Sequence, residues 1–151
     1  MEKHRELLQE LGTMVVTNSI GPEELKQVVE KIRAARGYRW VGLYTISRGE
    51  FIICAATGTQ PPTYPRFPVT QGLAGAALES KETIMVPDVQ HDPRYLPTFC
   101  NTRSEVIVPI CNDAEKVVGI LDAESEKAHA FNEKDLEFLE AAASLLAHPL
   151  S

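Results

Sequence analysis

Between Arg5 and Val16 the apolar residues Leu7, Leu8, Leu11, Met14 and Val15 recur at helical spacing, making one sticky stripe on a charged rod. The pattern predicts an amphipathic helix over about residues 3–18. A second helix is predicted from Ser19–Pro22 onward, because Pro suits a first turn and Glu23 and Glu24 suit the positive helix end. It carries Leu25, Val28, Val29 and Ile32 inward and stops at Gly37.

The period then changes. Trp40 to Ile46 and Phe51 to Ala56 are β-rich runs around Ser47-Arg48-Gly49-Glu50, which predicts a hairpin. The stretch from Pro61 to Pro68 has four prolines that cannot donate to a ladder, so it is an edge or a loop. Small residues from Gly72 to Ser80 predict a short helix, and Thr83 to Val86 a short strand. Val89 to Arg103 has no sustained period and reads as a long loop. Glu105 to Cys111 and Val117 to Asp122 form a further hairpin through Asn112-Asp113-Ala114-Glu115. Asn132 then caps a last helix, with Asp135 at the capping-box offset and Leu136, Leu139, Ala143 and Leu146 on one face. Successive hairpins followed by a helix predict an α+β fold, a mainly antiparallel sheet with helices gathered on one side.

Composition narrows the role without naming it. A chain of 151 residues, 44% hydrophobic, fits one domain over residues 1–151, large enough to be held by its core. A net charge of −6 argues against a phosphate backbone as partner, so no nucleic acid binding is expected. No apolar run is long enough for a membrane span and the start is too charged for a secretory signal, so a cytoplasmic location is expected. Cys54, Cys100 and Cys111 have no zinc spacing and read as free thiols, two of them buried on strands. His91 with Asp88 and Asp92 is a solvated loop cluster or a metal or haem ligand set; the former is expected, with no metal and no cofactor.

Three stretches carry a resemblance. Trp40-Val41-Gly42-Leu43-Tyr44, Gly72-Leu73-Ala74-Gly75, and Val118 to Ser125 with Phe131 to Leu136 behind it are similar, in this order, to the GAF domain family. The resemblance implies a central antiparallel sheet of about six strands with helices on one face and a small-molecule pocket on the other. It also implies terminal helices often used for dimerisation, so the N-terminal stripe is either intradomain packing or a dimer seam, and a homodimer is expected. Within the superfamily the chain resembles the freestanding free methionine-R-sulfoxide reductases. That likeness places Trp40 and Tyr44 around a substrate's methyl and amine end, and Arg103, Ser104, Glu105, Asp122 and Glu124 among its polar ligands. An ammonium suits a carboxylate and an aromatic face, and two carboxyls in one pocket raise one pKa and keep a proton available.

The reductase chemistry needs a thiolate, and here the sequence departs from the family. The catalytic cysteine position falls on Thr98 and its partners on Ala74 and Tyr64, while Glu124 stands where the reductases prefer Asp. Cys100, two residues on, is the catalytic candidate if the chain is an enzyme. Read from the residues alone, Trp40 is a ligand wall or a core residue, and Glu105 and Asp122 face a pocket or cap turns in water. Arg103 holds an anionic ligand or forms a salt bridge to Glu105 or Asp122. The Phe131 to Asp135 segment echoes part of a cyclic-nucleotide signature whose preceding residues are absent. The expectation is a GAF domain binding a small molecule in a sensory or regulatory role, acting through itself or a separate signalling protein. The alternatives are a free methionine-R-sulfoxide reductase, or a degenerate relative of one, and an interaction module whose pocket its own side chains fill.

Overall fold

The computed structural model describes residues 2–16, 20–58, 60–97, 99 and 101–150. The elements run α1 (Glu2–Val16), α2 (Pro22–Arg36), β1 (Trp40–Ser47), β2 (Glu50–Gly58), β3 (Arg66–Pro68), α3 (Gly72–Ser80), β4 (Ile84–Val86), β5 (Ser104–Cys111), β6 (Val117–Ser125) and α4 (Glu133–Leu150). A single 3₁₀ turn at Val89–His91 follows β4. The strands form one six-stranded antiparallel sheet in the order β3-β2-β1-β6-β5-β4.

Local chemistry sets the joints. Gly37 closes α2 in the left-handed region (φ 69°), its N–H donating to the Arg33 carbonyl, as a C-cap glycine does. The β1–β2 turn needs positive φ at both central residues, Arg48 (51°) and Gly49 (77°), the twist that suits a two-residue hairpin. Asn132 Oδ1 accepts from the N–H groups of Lys134 and Asp135, and Asp135 Oδ2 accepts in return from Asn132 N–H at 2.8 Å. This is the reciprocal cap that the spacing predicts. The Pro-rich stretch supplies an edge strand, with Phe67 paired to Phe51.

The sheet separates two cores. On one face α1, α2 and α4 pack over Val41, Leu43, Val106, Val108, Ile110, Leu121 and Ala123. The α1 stripe is used here, with Leu11 and Val15 each 1% exposed. On the other face Trp40, Tyr44, Phe51, Phe67, Ile107 and Ile120 meet α3 and the segment around Val89 and Phe99. Not every helix is therefore on one side: α3, whose small residues permit close approach, covers the second face. A Cβ at Gly75 would come within 2.9 Å of Val69 O. No described helix is long and apolar enough to cross a membrane.

Candidate functional site

Strand register builds the site. On β6, Asp122 pairs with Gly42 of β1 and Glu124 with Trp40, while on β5 Glu105 pairs with Glu124. Because side chains alternate along a strand, these positions and Tyr44 share the face turned to α3. Glu105, Asp122 and Glu124 are 3%, 3% and 0% exposed, and one carboxylate oxygen from each lies within 4.8 Å of the others. Among the described residues this trio is the one His/Cys/Asp/Glu group with such spacing.

Three carboxyls cannot all ionise in so dry a place. Burial first, and then the charge of Glu124, holds the Glu105 carboxyl well above the ordinary range. Asp122 is raised likewise, by burial and then by Glu105 and Glu124. Glu105 hydrogen-bonds both neighbours, which requires a proton on the cluster. Thr102 Oγ1 donates to Glu124 Oε1 at 2.8 Å. Asp122 Oδ1, Glu124 Oε2 and Trp40 Nε1 are buried without a hydrogen-bond partner among the described residues. Buried polar atoms are nearly always satisfied in folded proteins, so Asp122 Oδ1, on a residue that lines the adjoining cavity, marks a place for a ligand group.

A small, partly open space of about 20 Å³ adjoins the cluster, lined by Tyr44, Tyr64, Phe67, Leu96, Glu105 and Asp122, and by the first turn of α3 from Gly72 to Ala74. The first intrahelical bond of α3 runs from Gly75 N–H to Gln71 O at 3.0 Å, and Gln71 offers no side-chain cap. The N–H groups of that first turn lie ahead of it, so the wall carries positive partial charge opposite the carboxyls.

Of the residues singled out in the sequence, Tyr44, Glu105 and Asp122 line this space. Trp40 and Glu124 are fully buried beside it, the indole edge-on to Phe99 at 5.2 Å. Two others are not brought in. Ser104 points to the opposite face by strand alternation, and its Oγ donates to Lys127 O at 2.5 Å. Arg103 precedes the strand and its guanidinium binds Asp88 at 2.9 Å, not Glu105 or Asp122. Arg103 in turn holds the Asp88 carboxyl below its usual range.

Cys100 lies outside the described residues, as does Thr98. Ala74 and Tyr64, where the reductase family's other cysteines fall, do stand in the cavity wall. Cys54 is on β2, its Sγ donating to Leu43 O at 3.3 Å and its thiol pushed up to about 11 by burial. Cys111, expected to be buried, is exposed at the end of β5. His91 is 82% exposed, and its companions are occupied: Asp88 by Arg103 and Asp92 by Arg94.

Sequence reasoning missed Phe99, Thr102 and Leu96, and named Tyr64 only as a position where the reductases have cysteine. A lone Phe in a polar loop was the one signal available for Phe99, which is 4% exposed. The others carry no periodic signal, because irregular backbone places them.

A model of the GAF domain matches residues 22–150. The GAF domain-containing protein A of Dictyostelium discoideum is 25% identical over 146 residues, covering 96% of this chain and 90% of that protein. The free methionine-R-sulfoxide reductase of Saccharomyces cerevisiae is 37% identical over 76 residues, which is 50% of this chain and 42% of that enzyme. The structure of free methionine-R-sulfoxide reductase from Neisseria meningitidis in complex with its substrate is similar with a TM-score of 0.86 at 28% identity, covering 97% of this chain and 87% of that one.

Proposed function

We propose a ligand for this chain, which belongs to the GAF domain family: a small metabolite carrying an ammonium group, bound at the carboxyl cavity in a sensory or regulatory role. One observation carries the reading. Asp122 is buried and lines, with Glu105, a cavity walled by two tyrosines and a phenylalanine, and its Oδ1 has no donor among the described residues outside the carboxyl trio. An ammonium satisfies that oxygen by a charge-assisted hydrogen bond, and aromatic side chains in the wall suit a cation. Seating a cation there displaces the proton shared by the trio, so binding releases protons and tightens as the pH rises.

Calorimetric titration of the reduced protein with methionine, its two sulfoxide epimers, simple amines and cyclic nucleotides tests this. Binding by an ammonium compound is the expected result, weakened about tenfold or more by Asp122→Asn. Binding confined to anionic ligands overturns it.

The likeness to the Saccharomyces reductase favours a second reading, reduction of free methionine-R-sulfoxide. A thiolate would attack at the sulfoxide sulfur while a cavity carboxyl protonates its oxygen; the oxygen would pass to the cysteine sulfur as the sulfoxide S–O bond breaks, leaving methionine and a cysteine sulfenic acid. Two equivalents of an external thiol would return the sulfenic acid to the thiol, forming a disulfide and water. Cys100 is the residue to test: turnover lost in Cys100→Ser supports this reading, and turnover unchanged removes the assignment.

A further inference from the structure

One polar side chain reaches the carboxyl trio from outside the sheet. Thr102, in the segment before β5, is buried and donates from Oγ1 to Glu124 Oε1 at 2.8 Å. The backbone beside it is clamped twice: Arg103 N–H donates to Ser125 O and Val89 N–H donates to Arg103 O, each at 2.8 Å. The hydroxyl is therefore delivered to Glu124 by a tied stretch of chain.

That bond has a direction. A hydroxyl that donates to a carboxyl oxygen needs the oxygen bare of a proton, and each donor that meets a carboxylate favours its charged form. Glu105 and Asp122 also hydrogen-bond Glu124, and these two are the carboxyls that burial and neighbouring charge keep protonated. They line the cavity, whereas Glu124 is fully buried beside it. The other elements around the trio bring little that titrates against it. Tyr44 faces it from β1, with its hydroxyl held well above the ordinary value by burial and then by the trio's charges. The first turn of α3 brings N–H groups and no titratable side chain, β3 brings Phe67, and the irregular segments bring Tyr64 and Leu96. Arg39 is engaged by Glu126 at 2.9 Å and by the Phe99 ring, and Arg103 by Asp88. Among the described residues Thr102 is thus the side chain outside the trio that donates a hydrogen bond to it.

Resting on the carboxyl-cavity reading above, we infer that Thr102 is a positioning residue: its hydroxyl holds Glu124 as the acceptor of the trio and so keeps the exchangeable protons on Glu105 and Asp122, the two carboxyls that an incoming ammonium meets. Without that donor the trio grips its protons more tightly, and a cation displaces them less readily.

Urea titrations of the full chain between about pH 5 and about pH 8 test this on Thr102→Val, which keeps the shape and removes the hydroxyl. Thr102→Ser is the conservative variant, and Thr102→Ala replaces the Val variant if that one does not fold. The donor favours the ionised trio, so its contribution to stability is present at high pH and fades as the pH falls. The gap between parent and Thr102→Val is expected to widen as the pH rises, while Thr102→Ser follows the parent. Calorimetry with methylammonium gives a second readout. Its affinity climbs with pH in the parent, and in Thr102→Val the climb is displaced upward by about one pH unit, which is about tenfold weaker binding at neutral pH. A gap of constant size makes Thr102 a space-filling residue and overturns the inference. A gap that narrows as the pH rises also overturns it, being the sign of a protonated Glu124 donating to Thr102. A parent that binds no methylammonium removes the ammonium reading instead, and the stability profiles alone then decide the role of Thr102.

Discussion

The Trp40 indole lies flat across the bare α-carbon of Gly42, so that a Cβ added at residue 42 would stand 2.2 Å from Trp40 Cη2. Two residues apart on β1, they share a face, and the glycine is what lets the ring lie down along its own strand. The indole then fills the space between β1 and Phe99 and sets the back wall behind the carboxyl trio.

Gly42→Ala must lift that ring. The substitution is expected to destabilise the protein by about 1–3 kcal/mol, the usual range for overpacking a filled core. Because Trp40 is the one tryptophan, its emission reports the change directly: a red shift in the folded variant, alongside a lower denaturation midpoint. An unchanged spectrum and midpoint would mean that the ring is not held as described.

Protonation of the trio gives stability a pH dependence of definite sign. Glu105 and Asp122 keep their protons in the folded chain above the ordinary carboxylate range, first for burial, then for the charge of Glu124 on Glu105 and of Glu105 and Glu124 on Asp122. Above about pH 4 the folded state therefore binds more protons than the unfolded one, and stability falls as the pH rises until these groups ionise. The limiting slope is about 1.4 kcal/mol per pH unit for each proton. Asp122→Asn removes one such group, so its stability relative to the parent should improve from about pH 5 to about pH 8. Parallel stability profiles for the two proteins would exclude a raised Asp122.

Asp135 shows the opposite sign. Burial works against its charge, but the Asn132 N–H, the Arg36 guanidinium at 2.5 Å and the Tyr38 hydroxyl at 2.8 Å hold its carboxyl below the usual value. Asp135→Ala keeps the Asn132 cap of α4 but loses the return bond from Asn132 N–H and leaves the buried Tyr38 hydroxyl without this acceptor, a loss of about 2–4 kcal/mol at neutral pH. The contribution is present above the unfolded pKa and disappears as the pH falls through the folded one, so the gap between parent and variant should close in acid. Urea titrations at neutral pH and near pH 3 would measure both values, and a gap independent of pH would refute the linkage.

These sites differ in how far the sequence announced them. The Asn132–Asp135 cap, the Gly37 stop and the alternation that puts Asp122 and Glu124 on one face follow from local rules, and the structure follows them. The same alternation, applied one residue further, separates Ser104 from Glu105. A shared motif had grouped them, and geometry parts them. Arg103 binds Asp88 because the backbone just before β5 runs beside the 3₁₀ turn, with Val89 N–H bonded to Arg103 O at 2.8 Å, a pairing no spacing rule encodes. Tyr64 and Leu96 reach the cavity from irregular segments, where neither a period of two nor of 3.6 operates.

The N-terminal stripe offered two readings in the sequence, and its packing supports a stability test. Leu11 is 1% exposed within its own chain, in the core that includes Phe138, Leu139 and Leu146 of α4. A methyl-lined hole there costs about 2–5 kcal/mol, so Leu11→Ala should lower the denaturation midpoint markedly. Because the contacts are intrachain, the loss should be the same at low and high protein concentration. A loss that shrinks as concentration rises would show that a second chain also packs against this helix, since association adds stability by mass action.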